Sequence, residues 1–153
     1  MATARQLEHT KTDLYEQDFL AWTEDQAEAL RTKQAGALDW ENLLEEVESM
    51  GRNERNAMES RLSLLLMHLM KWQWQPEKRG KSWMQTIREQ RKAIRKILKN
   101  SPSLRSHVPE MLPEAWAEAR DDAAFETELP LSIFPETCPW SLDTQVLVDW
   151  MPE

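Results

Sequence analysis

The sequence predicts an all-α protein: an antiparallel helical bundle of about four main helices with a proline-rich C-terminal strap. Three observations carry that reading. Only three glycines occur in 153 residues, while Glu, Lys, Arg, Leu and Ala are plentiful, which favours helix. Four valines and four isoleucines are too few for a large sheet, because strands favour β-branched side chains. Apolar residues recur at three- and four-residue spacing through most of the chain. A chain of this length fits one domain and buries enough surface to fold without a metal or disulfide staple.

The elements follow in order. Residues 1–12 are polar and predict a flexible N-terminus. A first helix is expected from Leu14 to about Gln34, capped by Thr12 or Asp13, with Leu14, Ala21, Trp22, Ala29 and Leu30 as its apolar stripe and Phe19 beside it. Gly36 marks a turn. Asp39 is placed to cap a second helix. Trp40, Leu43, Leu44, Val47 and Met50 share one face of it, while Glu41, Glu45 and Glu48 line another. Gly51 can end or kink this helix, but Met58, Leu62, Leu65, Leu66 and Leu69 resume the spacing, so it is expected to continue to about Trp72.

"QPEKRGKS" is a loop, since Pro76 and Gly80 both disfavour helix. Ser82 is the expected cap of a third helix, Trp83 to about Lys99, with Trp83, Ile87, Ile94, Ile97 and Leu98 inward and Arg91 among them. Pro102 breaks the chain. A fourth helix is expected over about Glu110–Thr127, through Met111, Leu112, Ala115, Trp116, Ala119 and Ala123, with Pro113 tolerable only in its first turn. The domain reading is therefore residues 13–128 as the bundle and 129–153 as a proline-rich segment packed on it, with a short helical turn near Leu142–Val146.

Charge is uneven. The net formal charge is −8, yet residues 71–105 hold eleven Lys or Arg against two Glu, and the rest holds eight against twenty-five acidic residues. Such an island either faces complementary acidic surfaces of the same fold or forms an anion-binding face. The second reading selects Lys71, Lys78, Arg79, Lys81, Arg88, Lys92, Arg95 and Lys99, with an acidic protein segment or nucleic acid as the partner.

Several classes are disfavoured. No apolar run approaches the length of a membrane span, and "MATARQLEHTKTD" lacks the apolar core of a signal peptide. The single cysteine, Cys138, suits a reducing, cytoplasmic setting; with no histidine near it in sequence it reads as a small hydrophobe. Three isolated glycines make neither a Walker loop nor a dinucleotide fingerprint, so no cofactor is expected. No Glu stands three residues before His9, His68 or His107, so a di-iron motif is missing. Glu45, Glu46, Glu48 and Glu59 with His68 could offer metal ligands, but helical carboxylates more often face water or pair with cations, and no metal is expected.

His68 lies near the apolar stripe of the second helix, where a lone histidine is usually packed and hydrogen-bonded. Arg61 precedes it by seven residues, two helical turns, so the two can share a face. That spacing resembles the loose Arg–His motif of the higher eukaryote and prokaryote nucleotide-binding superfamily, all-helical proteins that include metal-independent ribonucleases. The resemblance implies histidine as acid–base group and arginine as phosphate partner. "KWQWQPEKRGKSW" mixes aromatic and basic residues, as a base-stacking platform would. Eight tryptophans spread over the whole chain suit core closure better.

The stretches "YEQDFLAWTEDQAEALR", "LDWENLLEEVESMG", "HLMKWQWQPEKRGKSW", "TIREQRKAIRKIL", "SPSL" and "FPETCPW" appear in that order. Together they resemble domain of unknown function family 29, small bacterial proteins, over about Leu14 to Trp140. The resemblance implies an all-helical fold and no assigned activity. Its recurring polar positions map onto Asp18, Gln26, Asp39, Glu45, Glu46, His68, Lys71, Gln75 and Arg91. The expected function is a non-enzymatic binding module using the basic face of the third helix, with Glu45, Glu46, His68, Gln75 and Arg91 as polar-site candidates. The alternative is a ribonuclease-like protein using Arg61 and His68. A homodimer is compatible with the tryptophan-rich surface.

Overall fold

A computed structural model describes residues 14–153. They are helical with no strand among them. Four long helices carry the fold: α1 (Phe19–Arg31), α2 (Trp40–Trp74), α3 (Lys81–Asn100) and α4 (Val108–Thr127). The chain forms two compact units, Met1–Arg52 and Asn53–Glu153, whose boundary lies inside α2. No helix among the described residues is long and apolar enough to cross a membrane.

In the first unit the expected Leu14–Gln34 helix is shorter. Residues 14–17 are helical, but Asp18 leaves the helical region at φ −147° and its carboxylate accepts the Ala21 N–H at 3.0 Å. A carboxylate competing for a first-turn amide starts a new helix there. The expected caps, Thr12 and Asp13, lie outside the described residues. The helix stops at Arg31 because Lys33 takes a left-handed φ of 56°, so that the Gln34 N–H reaches the Ala29 carbonyl at 2.9 Å and the Lys33 N–H reaches Leu30 at 3.1 Å. Trp22, Gln26 and Ala29 face inward, and Leu30 does not.

Asp39 joins α1 to the start of α2. Its Oδ2 accepts from the Trp22 indole N–H (3.0 Å) and the Asn42 amide (2.8 Å), and its own N–H donates to Gln26 Oε1 (2.7 Å). Tyr15 packs edge-on to Phe19 and Trp22 and donates its hydroxyl to Glu46. That hydrogen bond, then partial burial and the negative charges of Glu46, Glu45 and Asp39, push the Tyr15 phenol up from 10.0 to about 12. Tyr15 is the only tyrosine, so ultraviolet titration reads it alone: half-ionisation is expected near pH 12, falling back toward 10 in Glu46→Gln. Its folded-state pKa lies above the unfolded one, so its stabilisation is complete below pH 10 and lost as pH rises through 12. An ordinary phenol titration in wild type would show that Glu46 does not hold it.

The expected inward face of early α2 is exposed. Trp40 is 64% accessible, Leu44 and Val47 are each 59%, and Met50 is 63%; only Leu43 is half-buried. The helix does pass Gly51 without ending, as its spacing predicted, and reaches Trp74.

The core of the second unit is built on the later half of α2. Met58, Leu62, Leu65, Leu66, Leu69 and Met70 are fully buried, with Ile87, Ile94 and Leu98 of α3 and Ala115, Trp116, Ala119 and Ala123 of α4. Two boundaries shift from expectation. Gly80, not Ser82, is the N-cap of α3, and α4 begins at Val108 behind His107. Pro113 consequently lies inside α4, beyond the first turn. Its missing N–H would have met the Pro109 carbonyl, and both prolines are exposed, so water can satisfy that carbonyl.

Residues 129–153 hold short turns over Leu131–Ile133 and Leu142–Val146. The second is wide, with Val146 N–H bonding the Ser141 carbonyl and Leu147 N–H that of Leu142, at 3.0 and 2.9 Å. Phe134, Trp140 and Val146 are buried in the core. Trp74, Trp116, Trp140 and Trp150 pack with Phe134 at ring separations of 5.4–5.8 Å. Four of the eight tryptophans therefore close a core.

Candidate functional site

The third helix sorts its residues by face. Ile87, Gln90, Arg91, Ile94 and Leu98 are buried. Lys81, Arg88, Lys92 and Arg95 fall at i, i+7, i+11 and i+14 and are all exposed. At 100° per residue these four lie within a sector of about 60°, a row about 21 Å long. They line an open groove of about 830 Å³, together with Gly80, Met84, Gln85, Glu89 and Asp149. Asp149 comes from the C-terminal segment and sits 3.5 Å from Arg95, both side chains exposed. The groove is therefore cationic but mixed, with four cations, two carboxylates and one exposed methionine.

The other basic residues selected from the sequence lie elsewhere. Lys71 is buried, with Nζ 2.6 Å from Glu126 Oε2 and 4.7 Å from the Trp83 ring centroid. Arg79 donates from Nε to the Trp72 carbonyl at 2.6 Å and stacks over the Trp72 ring. Lys78 is exposed in the turn Pro76–Lys78, and Lys99 in the last turn of α3; neither lines the groove. Sequence reasoning missed Met84, Gln85, Glu89 and Asp149. The first three could have been found, since they fall on or beside the sector of the cations. Asp149 carries no local signal.

The polar candidates are also dispersed. Arg91 is buried, donating from Nε to the Val146 carbonyl at 3.0 Å and from a terminal nitrogen to Gln145 at 3.4 Å. Burial holds its pKa below the usual arginine value. Gln75 donates to the Thr127 carbonyl at 3.4 Å. Glu45 accepts from Arg52 and Ser49, and Glu46 from Tyr15.

His68 Nδ1 lies 3.0 Å from the Leu64 carbonyl. A carbonyl only accepts, so Nδ1 carries the proton. Burial lowers the pKa of the imidazole, outweighing that hydrogen bond; Lys71 lowers it further and Glu126 opposes. Arg61 instead donates to Gln90 Oε1 at 3.2 Å. The arginine and histidine of the sequence motif thus have different partners.

Glu59 is raised by burial, then by the charges of Glu114 and Glu118. No group of three or more metal-ligating side chains is placed to hold an ion among the described residues. Burial pushes the Cys138 thiol up, the opposite of an activated nucleophile.

The family model described as Domain of unknown function DUF29 matches residues 14–151, nearly the whole chain. The chain belongs to the DUF29 family. No curated protein and no solved structure matches it. DUF29 membership names no chemistry, so any functional reading of this DUF29 chain rests on its own side chains.

Proposed function

We propose that this protein is a non-enzymatic interaction module that binds an anionic partner in the α3 groove. The observation that carries this is the alignment of Lys81, Arg88, Lys92 and Arg95 along one 830 Å³ groove. Four like charges held on one exposed face repel one another, and an anionic ligand relieves that repulsion. The reading extends to an antiparallel bundle with a C-terminal strap in a cytoplasmic bacterial protein; the bonds of Arg91 and Arg120 into residues 129–153 support the strap. The reading of Arg61 and His68 as a ribonuclease pair draws less support, since each is engaged with a different partner, Gln90 and the Leu64 carbonyl.

The test is fluorescence anisotropy with a labelled oligo-glutamate peptide and a labelled RNA oligonucleotide over a salt series. Arg88→Glu/Arg95→Glu should weaken binding about tenfold or more, since two exposed ion pairs are lost and two repulsions gained. Added salt should weaken wild type in the same direction. Equal affinity of wild type and variant, or binding of neither probe at low salt by a monomeric wild type, would sink the proposal.

A further inference from the structure

Two exposed surfaces of this chain complement each other chemically. One is the α3 groove, with Lys81, Arg88, Lys92 and Arg95 against Glu89 and Asp149, and Met84 among them. The other is the outer stripe of early α2 in the first unit. Trp40, Leu44, Val47 and Gly51 recur at four-, three- and four-residue spacing, with Met50 beside them, so they share a stripe about 16 Å long. Glu41, Glu45 and Glu48 flank it on one side, with Arg52 in the same row.

Three features assign an occupant to each surface. Large apolar side chains at roughly 60% exposure in a continuous stripe mark an interaction surface. Gly51 is unfavourable within a helix relative to alanine, yet a Cβ there would meet nothing within 4 Å; a bare helix surface lets another element approach closely. The charges also match in kind. A groove containing Glu89 and Asp149 repels a uniform polyanion at two points, whereas the row beside the stripe is itself mixed: three carboxylates and one cation, Arg52, which lies 2.8 Å from Glu45 and 3.8 Å from Glu48, leave it net negative against a net positive groove. The stripe is shorter than the 21 Å cationic row and fits along it.

We propose that the α3 groove of one copy of this chain receives the Trp40–Gly51 stripe of α2 from a second copy. This rests on the reading of the groove as an acidic-partner site and names that partner. The lysine and arginine stems cover Leu44 and Val47, and their charged ends pair with Glu41 and join the half-exposed Glu45–Arg52–Glu48 cluster.

The experiment is sedimentation velocity of the full chain over a concentration series at low and high salt. Wild type should associate at low salt, about tenfold or more weakly at high salt. Arg88→Glu/Arg95→Glu and, separately, Leu44→Gln/Val47→Gln should each shift the chain to monomer. All four positions are exposed, and circular dichroism checks that the helices remain. Combining Glu45→Arg/Glu48→Arg with Arg88→Glu/Arg95→Glu in one chain should restore association.

Association unchanged by either variant, or no recovery on charge exchange, overturns the proposal. A wild type that stays monomeric yet captures oligo-glutamate through Arg88 and Arg95 overturns the second copy and leaves the groove reading standing. A wild type that does neither overturns both.

Discussion

Arg91→Ala lowers the stability of the Asn53–Glu153 unit by about 3 kcal/mol, the range of a broken buried hydrogen-bond network with a charged donor. Its side chain is 4% exposed and donates to two carbonyls, those of Gln145 and Val146, 54 and 55 residues away. Alanine removes both donors and the packed stem. Lysine is not an adequate replacement, because one ammonium cannot reproduce the planar fork of the guanidinium. Urea denaturation followed by tryptophan fluorescence measures the loss, and the turn Leu142–Val146 should become sensitive to proteolysis first. An Arg91→Ala protein within about 0.5 kcal/mol of wild type, the usual range of a surface change, would show that these bonds do not hold the segment.

Trp116→Ala is expected to cost about 3–5 kcal/mol, the usual range for deleting a large buried aromatic. The side chain is 1% exposed, meets Trp140 edge-on at 5.4 Å and donates its indole N–H to the Pro135 carbonyl at 2.8 Å. Alanine leaves a cavity beneath residues 134–140 and an unpaired carbonyl. Trp116→Phe separates the two contributions, since it retains an aromatic ring and loses the hydrogen bond, worth about 1 kcal/mol. A Phe variant as damaged as the Ala variant would mean that indole shape and the hydrogen bond, not bulk apolar volume, dominate. The denaturation midpoints of the three proteins decide between them.

The partners of Arg91 and Trp116 explain where sequence reading reached its limit. Arg91 was visible as a cation among Ile87, Ile94 and Leu98, which marks a charged group near an interface. Nothing local to it identifies the carbonyls it meets. Lys71 is similar: its place at the end of an apolar run was plain, but Glu126 and Trp83 approach it only through folding. Half of the basic residues selected by composition line the groove, because a charge count ignores which way each helix face turns. Lys81, Arg88, Lys92 and Arg95 share one sector; Lys71 and Arg79 are taken up by Glu126 and Trp72.

The early α2 stripe shows the same limit from the opposite side. Trp40, Leu44, Val47 and Met50 have the spacing of a core-facing helix and are exposed. Periodicity reports which residues share a face, while what covers that face is decided elsewhere in the chain or by another molecule. Met58, Leu62, Leu65, Leu66 and Leu69 have a similar signal and are buried, because α3, α4 and residues 134–146 supply the covering atoms.

By itself the sequence determined the helical class, the number of long helices, the continuation of α2 past Gly51 and the breaks between long helices at Pro76 and Pro102, which the structure fills with short 3-10 turns. These follow from backbone propensity, proline chemistry and the 3.6-residue repeat, all local in the chain. Only the tertiary structure decided that Asp18 starts α1, that Arg91 is a buried clasp, that His68 and Arg61 have separate partners, and that four cations and Asp149 share one groove. Those outcomes depend on burial and on partners tens of residues distant, and the free energy of a charge or an apolar side chain is set by what surrounds it, which no local pattern records.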